Sequence, residues 1–209
     1  MADVRPAALP PGERTVGQLV AESIRFYGAR FWAVIPLGLP FVAVDLVSHN
    51  RSLAVQTLVL WAFAPLFSAA YVRASALAFK GSGSWSAFIT ALIVFLPFPI
   101  LLRIYILPAV AWFGLVGLAV PAVVVERLGI RAALRRGLEL GRADLAHSIG
   151  GLATLALVYG VSRYALLVLL HTQGDQTQLV AVVLADLVLS PLVFVGAALL
   201  YADQAARIR

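Results

Sequence analysis

A single glutamate stands where a long apolar run meets a cluster of arginines. The stretch "VVVERLGIRAALRRGLELGRADLAHS", residues 123–148, places Glu126 at the junction and five arginines after it. A carboxylate at the lip of an apolar helix is costly unless it is paired. If the chain turns at Gly129, Arg135 or Arg136 lies one helical hairpin away. We therefore expect Glu126 to form a structural ion pair, with a ligand or lipid site and a catalytic acid or base as the alternatives.

The arginines after Glu126 predict a helix with a basic face. Arg131, Arg135 and Arg142 fall near one side of a helical wheel, with leucines and glycines between them. We expect one or two interfacial helices whose leucines face lipid and whose arginines reach toward phosphates. A simple topological signal and a specific site for a head group or partner are both open. The candidate structural or lipid site comprises Glu126, Arg131, Arg135, Arg136 and Arg142.

Three ionisable residues lie within or near apolar segments, away from the arginine cluster. Arg163 and Asp186 each lie about 10 Å from the same edge of two neighbouring segments, at a rise of about 1.5 Å per residue. Because an isolated charge inside a membrane is expensive, we predict that they form an ion pair. A proton or ion relay is the functional alternative. Asp45, close to His49 and Arg51, is expected to meet solvent.

The rest of the sequence lacks the patterns that are typical of catalysis or metal binding. The three histidines, His49, His147 and His171, are far apart and have no metal-ligand spacing. The chain has neither a GxxxxGKS phosphate loop nor a GxSxG nucleophile turn. It contains no cysteine, which excludes disulfides and thiolate metal sites. We predict a non-enzymatic protein with no cofactor or metal.

The composition indicates an integral membrane protein. Of the 209 residues, 62% are hydrophobic and 12% are charged, and the mean hydropathy is +0.95. So few charged residues cannot cover a soluble core of this size. The net charge of +6 does not indicate nucleic-acid binding, because the basic residues are dispersed around hydrophobic runs.

The fold class that follows is an all-α polytopic membrane bundle of six spans with interfacial amphipathic helices. Residues 1–14 are predicted to be a flexible cytoplasmic tail, and residues 15–209 a single integral domain. An amphipathic helix is expected over residues 15–29, with Thr15 and Gln18 placed for a capping box. The predicted spans are approximately 31–47, 53–79, 85–102, 104–125, 148–170 and 179–201, and the arginine-rich segment is 126–147.

The boundary between the third and fourth spans is the weakest one. Pro97, Pro99 and Pro108 interrupt the apolar run there, which predicts a tight turn or a broken helix. A five-span arrangement that fuses the two segments is the alternative.

The distribution of basic residues predicts the orientation. In the six-span arrangement, 13 lysines and arginines lie on the side of the N-terminus and 2 on the opposite side. The remaining one is Arg163. We therefore expect both termini in the cytoplasm, with the chain in a cytoplasmic (inner) membrane.

The arginine-rich stretch resembles the YciC-like and glycerophosphoryl diester phosphodiesterase membrane-domain superfamily. The matching positions are Pro121, Glu126, Ala133, Leu134, Arg136 and Leu140, with Tyr201, Asp203 and Arg207 near the end of the sequence. Gly137 stands where the family has a serine. The resemblance implies a six-span helical membrane domain that is sometimes fused to a soluble phosphodiesterase, a part that we expect this chain to lack. It also implies that the cytoplasmic (inner) membrane is prokaryotic.

Two functions follow as expectations. The first is a membrane-homeostasis factor or a docking subunit that uses its arginine-rich cytoplasmic face. Its partners would be anionic lipid head groups, together with other membrane proteins or a second copy of the chain. The second is a small transporter or lipid-handling protein with a polar intramembrane site near Arg163 and Asp186.

Overall fold

The regular structure of the described residues is entirely helical. The computed structural model describes residues 10–208; residues 1–9 of the predicted tail, and residue 209, lie outside the described residues. The helices are α1 (Val16–Ala29), α2 (Phe31–Val34), α3 (Leu39–Ser48), α4 (Leu53–Ala62), α5 (Ala64–Phe79), α6 (Trp85–Phe95), α7 (Phe98–Ile104), α8 (Ile106–Val116), α9 (Ala119–Glu126), α10 (Ile130–Ala143), α11 (Leu145–Leu169), α12 (Asp175–Leu189) and α13 (Pro191–Arg207). A 3-10 turn, Ile35–Gly38, joins α2 to α3.

Several of these helices combine into segments that are long and apolar enough to cross a membrane. Five such segments are Phe31–Ser48, Trp85–Ile104, Ile106–Glu126, Leu145–Leu169 and Asp175–Arg207. The pair α4 and α5, bent by 49°, makes a sixth if it is counted as one span. The predicted all-helical class with several apolar segments is confirmed.

The third and fourth apolar segments are separate helices that pack against each other. Tyr105 has an extended backbone, with φ −172° and ψ 158°, and interrupts the helix between α7 and α8. Beyond this break α8 returns along α7, and α9 packs on α6. Pro99 lies in the first turn of α7, where a missing N–H removes no helical hydrogen bond. The chain therefore reverses here, unlike in the fused five-span alternative.

The first helix begins at the predicted capping box and packs along the last one. The Gln18 side chain accepts a hydrogen bond from the Thr15 N–H at 2.8 Å, and Thr15 Oγ1 accepts one from the Gln18 N–H at 3.4 Å. One face of α1, with Leu19 and Ser23 buried, contacts α13 and α11. This helix is thus part of the bundle as well as amphipathic.

The arginine-rich segment forms one helix, α10, that folds back onto the bundle. Arg127 ends α9 in the left-handed region, with φ 53°, and α10 then packs along α8 and α9. A Cβ atom at Gly137 would lie 2.6 Å from the Ala119 nitrogen, and one at Gly141 2.7 Å from Leu115 Cα. Backbone contact this close requires glycine on α10.

The predicted lipid-facing leucines of this segment are placed differently. Leu140 is fully buried, and Leu134 and Leu138 are partly buried against the hydrophobic core. The helical wheel indicates which residues share a face, but it does not say whether protein or lipid covers that face. Here α8 and α9 cover it.

A cluster of aromatic rings fills the centre of the bundle. Phe41, Phe67, Phe95 and Phe194 have ring centroids 4.9 to 6.3 Å apart in the pairs that touch, and the Tyr71 ring is tilted against Phe194 at 6.2 Å. The rings come from α3, α5, α6 and α13. They join the two halves of the chain in a single core.

We expect Gly137→Ala to destabilise the protein, although alanine has the higher helix propensity. The added methyl group overlaps the α9 backbone, and such overpacking costs about 1–3 kcal/mol. The matched control is Gly160→Ala on α11, where no heavy atom lies within 4 Å and about 1 kcal/mol of helix propensity is gained. Thermal unfolding in detergent compares the two variants. Equal melting temperatures would contradict the close approach of α10.

Candidate functional site

A cavity of about 500 Å³ opens between α3, α4, α11 and α12. Polar side chains line it, including Asp45, Ser48, Gln56, Tyr159, Arg163 and Gln178. The rim includes His49 and Asn50, which follow α3, and Gln178 in the first turns of α12. Gln178 is near the start of the continuous α12–α13 segment, and Asp203 is near its other end. At about 1.5 Å per residue the two residues lie about 37 Å apart. The cavity therefore opens at one end of the bundle.

Aromatic rings close the cavity on its inner side. The Phe41 ring lines the cavity and has its centroid 5.4 Å from that of Tyr159 and 4.9 Å from that of Phe67. Behind these rings lies the aromatic core. A solute that enters from the rim therefore meets the charged wall before it meets the core.

Arg163 and Asp45 supply the charge in the wall of the cavity, and the buried Asp186 carboxylate contacts the same guanidinium. Arg163 Nη2 contacts the Asp45 carboxylate, and Arg163 Nε lies 3.2 Å from Asp186 Oδ1. The Tyr159 hydroxyl donates a hydrogen bond to Asp186 Oδ1 at 2.5 Å. Three helices, α3, α11 and α12, supply these four side chains.

The predicted partners Arg163 and Asp186 are thus in contact, but the charged group contains more residues than this pair. Asp45, which the sequence assigned to solvent, is a second carboxylate on the same guanidinium. The physical reason is that α3 packs beside α12, where Asp45 meets Arg163 of α11. Tyr159 was also missed. Its spacing of four residues from Arg163 places both on one helical face, and this signal could have revealed it.

The two carboxylates on Arg163 differ in their exposure. The Asp186 side chain is 1% exposed, and its Oδ2 atom has no hydrogen-bond partner among the described residues. The Asp45 side chain is 22% exposed and lines the cavity. Ser48, also in the wall, has a buried hydroxyl without a partner in that part of the chain. Both of these oxygens are buried, so Asp45 is the carboxylate that a molecule in the cavity can reach.

The charges around Arg163 do not balance. One guanidinium can neutralise one carboxylate, so two ionised carboxylates leave one negative charge in excess. In a medium of low dielectric constant such a charge is strongly disfavoured unless a cation or a proton accompanies it. A proton held by one of the two carboxyl groups or a cation in the cavity would balance it.

The second predicted site is an ion pair at the junction of α9 and α10. Arg136 Nε donates to Glu126 Oε1 at 3.1 Å, and the Tyr201 hydroxyl donates to the same oxygen at 2.7 Å. Burial acts to lower the pKa of Arg136, but the hydrogen bond and the negative charge of Glu126 outweigh it and raise the pKa above its usual value. This contact joins α9, α10 and α13, and we call it the Glu126 clasp.

The other arginines of the predicted site lie outside the clasp. Arg135 is 3.5 Å from Glu139, one turn along the same exposed face. Arg131 and Arg142 are exposed and have no ion pair within residues 10–208. The structure thus brings Glu126 and Arg136 together and leaves Arg131, Arg135 and Arg142 on the outer face of α10.

A third polar network, which the sequence did not indicate, ties together the two ends of the described chain. Arg14 Nη1 lies 3.1 Å from Asp203 Oδ1, and His147 Nε2 lies 3.5 Å from Asp203 Oδ2. Arg207 donates to Asp144 Oδ2 at 2.6 Å. Arg14, assigned to the flexible tail, is therefore held against α13. The one local signal was Asp144, whose side chain caps α11 by accepting from the His147 N–H at 2.9 Å.

Comparison with other proteins gives no further guide to function. No family model, curated protein or solved structure matches this chain.

We expect Arg163→Gln to lower the stability of the protein markedly. It leaves two carboxylates side by side without their cation, and breaking a buried pair in this way costs about 3 kcal/mol or more. Adding Asp186→Asn to that variant should restore part of the loss, because it removes one of the two charges. Thermal unfolding in detergent measures both, and the exposed Arg51→Gln is the control. An unchanged melting temperature for Arg163→Gln would contradict a structural role of the guanidinium.

Proposed function

We propose that this chain is a non-enzymatic, multi-pass protein of the prokaryotic cytoplasmic membrane whose cavity binds a small ligand with one positive charge. A small transporter and a lipid-handling protein would both use such a site. The observation that carries the proposal is the sharing of Arg163 between Asp45 and Asp186 at the cavity wall.

The excess negative charge defines the class of ligand. An ammonium group near Asp45 would neutralise the second carboxylate and could donate hydrogen bonds to the Asp45 carboxylate, which lines the cavity. Each ion removed from water must recover its hydration energy from such contacts. A primary amine, free or within a lipid head group, meets these requirements, whereas an anion would add to the unbalanced charge.

The proposed topology has six spans, with both termini on the cytoplasmic side. It is supported by the asymmetry of 13 basic residues against 2, and by the bent pair α4–α5 as the additional crossing. In this arrangement the cavity opens away from the arginine-rich side. The Phe41 ring then separates the ligand from the cytoplasmic half, so passage across the membrane would require this ring to move.

Membership of the YciC-like and glycerophosphoryl diester phosphodiesterase membrane-domain superfamily is part of the proposal. Three positions that carry the resemblance, Glu126, Arg136 and Tyr201, meet in the Glu126 clasp although they are up to 75 residues apart. A shared structural contact is one physical reason for such a motif.

The proposal predicts saturable binding of amines that depends on Asp45. Purified protein in lipid nanodiscs would be titrated with ethanolamine and choline, with acetate as the anionic comparison, by isothermal titration calorimetry. Asp45→Asn leaves a neutral pair, Arg163 with Asp186, and should weaken amine binding about tenfold or more, since hydrogen bonds to charged groups contribute about 1.5–3 kcal/mol.

Asp175→Asn is the matched control, because Asp175 is an exposed carboxylate in the first turn of the cavity-lining helix α12. It should leave amine binding unchanged. Competition by phosphatidylethanolamine in the nanodisc would identify a lipid head group as the source of the amine. Absence of saturable amine binding, or equal binding by the wild type and Asp45→Asn, would contradict the proposal.

A second candidate is a docking or membrane-homeostasis role for the outer face of α10. Arg131, Arg135 and Arg142 are exposed there while the opposite face of the helix is packed on the bundle. Such a face attracts anionic head groups, at about 1 kcal/mol per arginine, or an acidic segment of another protein. Within this proposal the partner is another membrane protein or a second copy of the chain.

The docking candidate predicts that the positive charge of these arginines holds the partners, so that lysine can replace arginine and glutamine cannot. The triple Gln variant of Arg131, Arg135 and Arg142 should lose anionic lipids and acidic proteins that copurify from native membranes, as measured by mass spectrometry. The triple Lys variant keeps the charge and should retain them. Identical copurification by the wild type and both variants would argue against docking through α10.

A further inference from the structure

A second, more apolar recess lies between the broken first segment and α5. It has a volume of about 410 Å³ and shares no lining residue with the cavity. Its walls include Trp32, Pro36, Leu39, Leu66, Ala69 and Arg73. We call this recess the Arg73 groove.

The sequence explains why a groove forms here. Pro36 and Pro40 interrupt the helical hydrogen bonding, so the first segment is divided into α2, a 3-10 turn and α3. Across from it, α5 presents the small side chains of Ala69 and Ala70. An irregular helix opposite small residues cannot fill the space between them.

Arg73 is the one charged residue in the wall of this groove. Its side chain is exposed, and within residues 10–208 it has no hydrogen bond or ion pair. The nearby Arg30 is engaged, because it donates to the Leu77 carbonyl and lies over the Phe26 ring at 4.7 Å from the centroid. Arg73 is therefore the guanidinium available to an anion in the groove.

The surroundings place this guanidinium at the level of lipid head groups. Trp32, 82% exposed, lies at the mouth of the groove, and exposed tryptophans concentrate where the membrane meets water. Leu39 and Leu66, also exposed, continue the wall in the direction of the apolar segments. One end of the groove thus suits a phosphate and the remainder an acyl chain.

We infer that the Arg73 groove binds one anionic phospholipid, with its phosphate on Arg73 and an acyl chain between α3 and α5. A net negative head group is selected because Arg73 has no carboxylate to balance its charge. The apolar wall selects a lipid over a free phosphate. The site is independent of amine binding in the cavity, so either can fail without the other.

Native mass spectrometry tests this inference on the full chain. The protein would be equilibrated in nanodiscs that contain equal amounts of phosphatidylglycerol and phosphatidylcholine, released, and scored for bound lipid. We expect one retained phosphatidylglycerol, and about tenfold less retention for Arg73→Gln, since a hydrogen bond between charged groups is removed. Soluble glycerol phosphate should not compete.

Two further variants separate the groove from general electrostatic attraction. Arg51→Gln removes an exposed arginine that lines neither the groove nor the cavity, and it should leave lipid retention unchanged. Ala69→Phe keeps Arg73 but fills the groove, and should reduce retention as Arg73→Gln does; it also serves as the test if Arg73→Gln fails to fold. Equal retention of the two lipids, or a loss with Arg51→Gln as large as with Arg73→Gln, would overturn the inference.

Discussion

The guanidinium of Arg163 is shared by carboxylates from two other helices, and this sharing ties α3, α11 and α12 together at one level of the bundle. Removing one member of a buried charged group costs far more free energy of folding than the whole group contributes. The main effect of the group around Arg163 is therefore to specify which helix faces meet. Two members of this group, Arg163 and Asp45, also line the cavity. Structural support and the proposed recognition of a cation therefore depend on one balance of charge.

Charge also organises the opposite end of the bundle, but there it is balanced. The Glu126 clasp joins α9, α10 and α13, and the pairs of Arg14 with Asp203 and of Arg207 with Asp144 hold both ends of the described chain beside the start of α11. In these contacts each carboxylate has a cation of its own. This end is a junction of helices, whereas at the cavity end two carboxyl groups share one guanidinium.

Apolar packing separates the two polar ends. The aromatic rings around Phe41 and Phe194 fill the centre, and the glycine face of α10 allows a close approach to α8 and α9 that larger residues would prevent. The Phe41 ring belongs both to this filled centre and to the lining of the cavity. The Arg73 groove arises where this packing fails, between a helix divided by prolines and the alanines of α5.

Hydrophobic content and helical spacing within the sequence were sufficient to predict an all-helical membrane protein, the capping box at Thr15, and the proximity of Arg163 to Asp186. Each depends on local composition or on neighbouring segments, for which the period and rise of a helix are enough. The tertiary structure alone placed Asp45 on Arg163 and Arg14 on Asp203, and covered the apolar face of α10 with protein in place of lipid. These contacts join residues up to 189 positions apart, and only the way the helices pack decides which distant charges share one low-dielectric site.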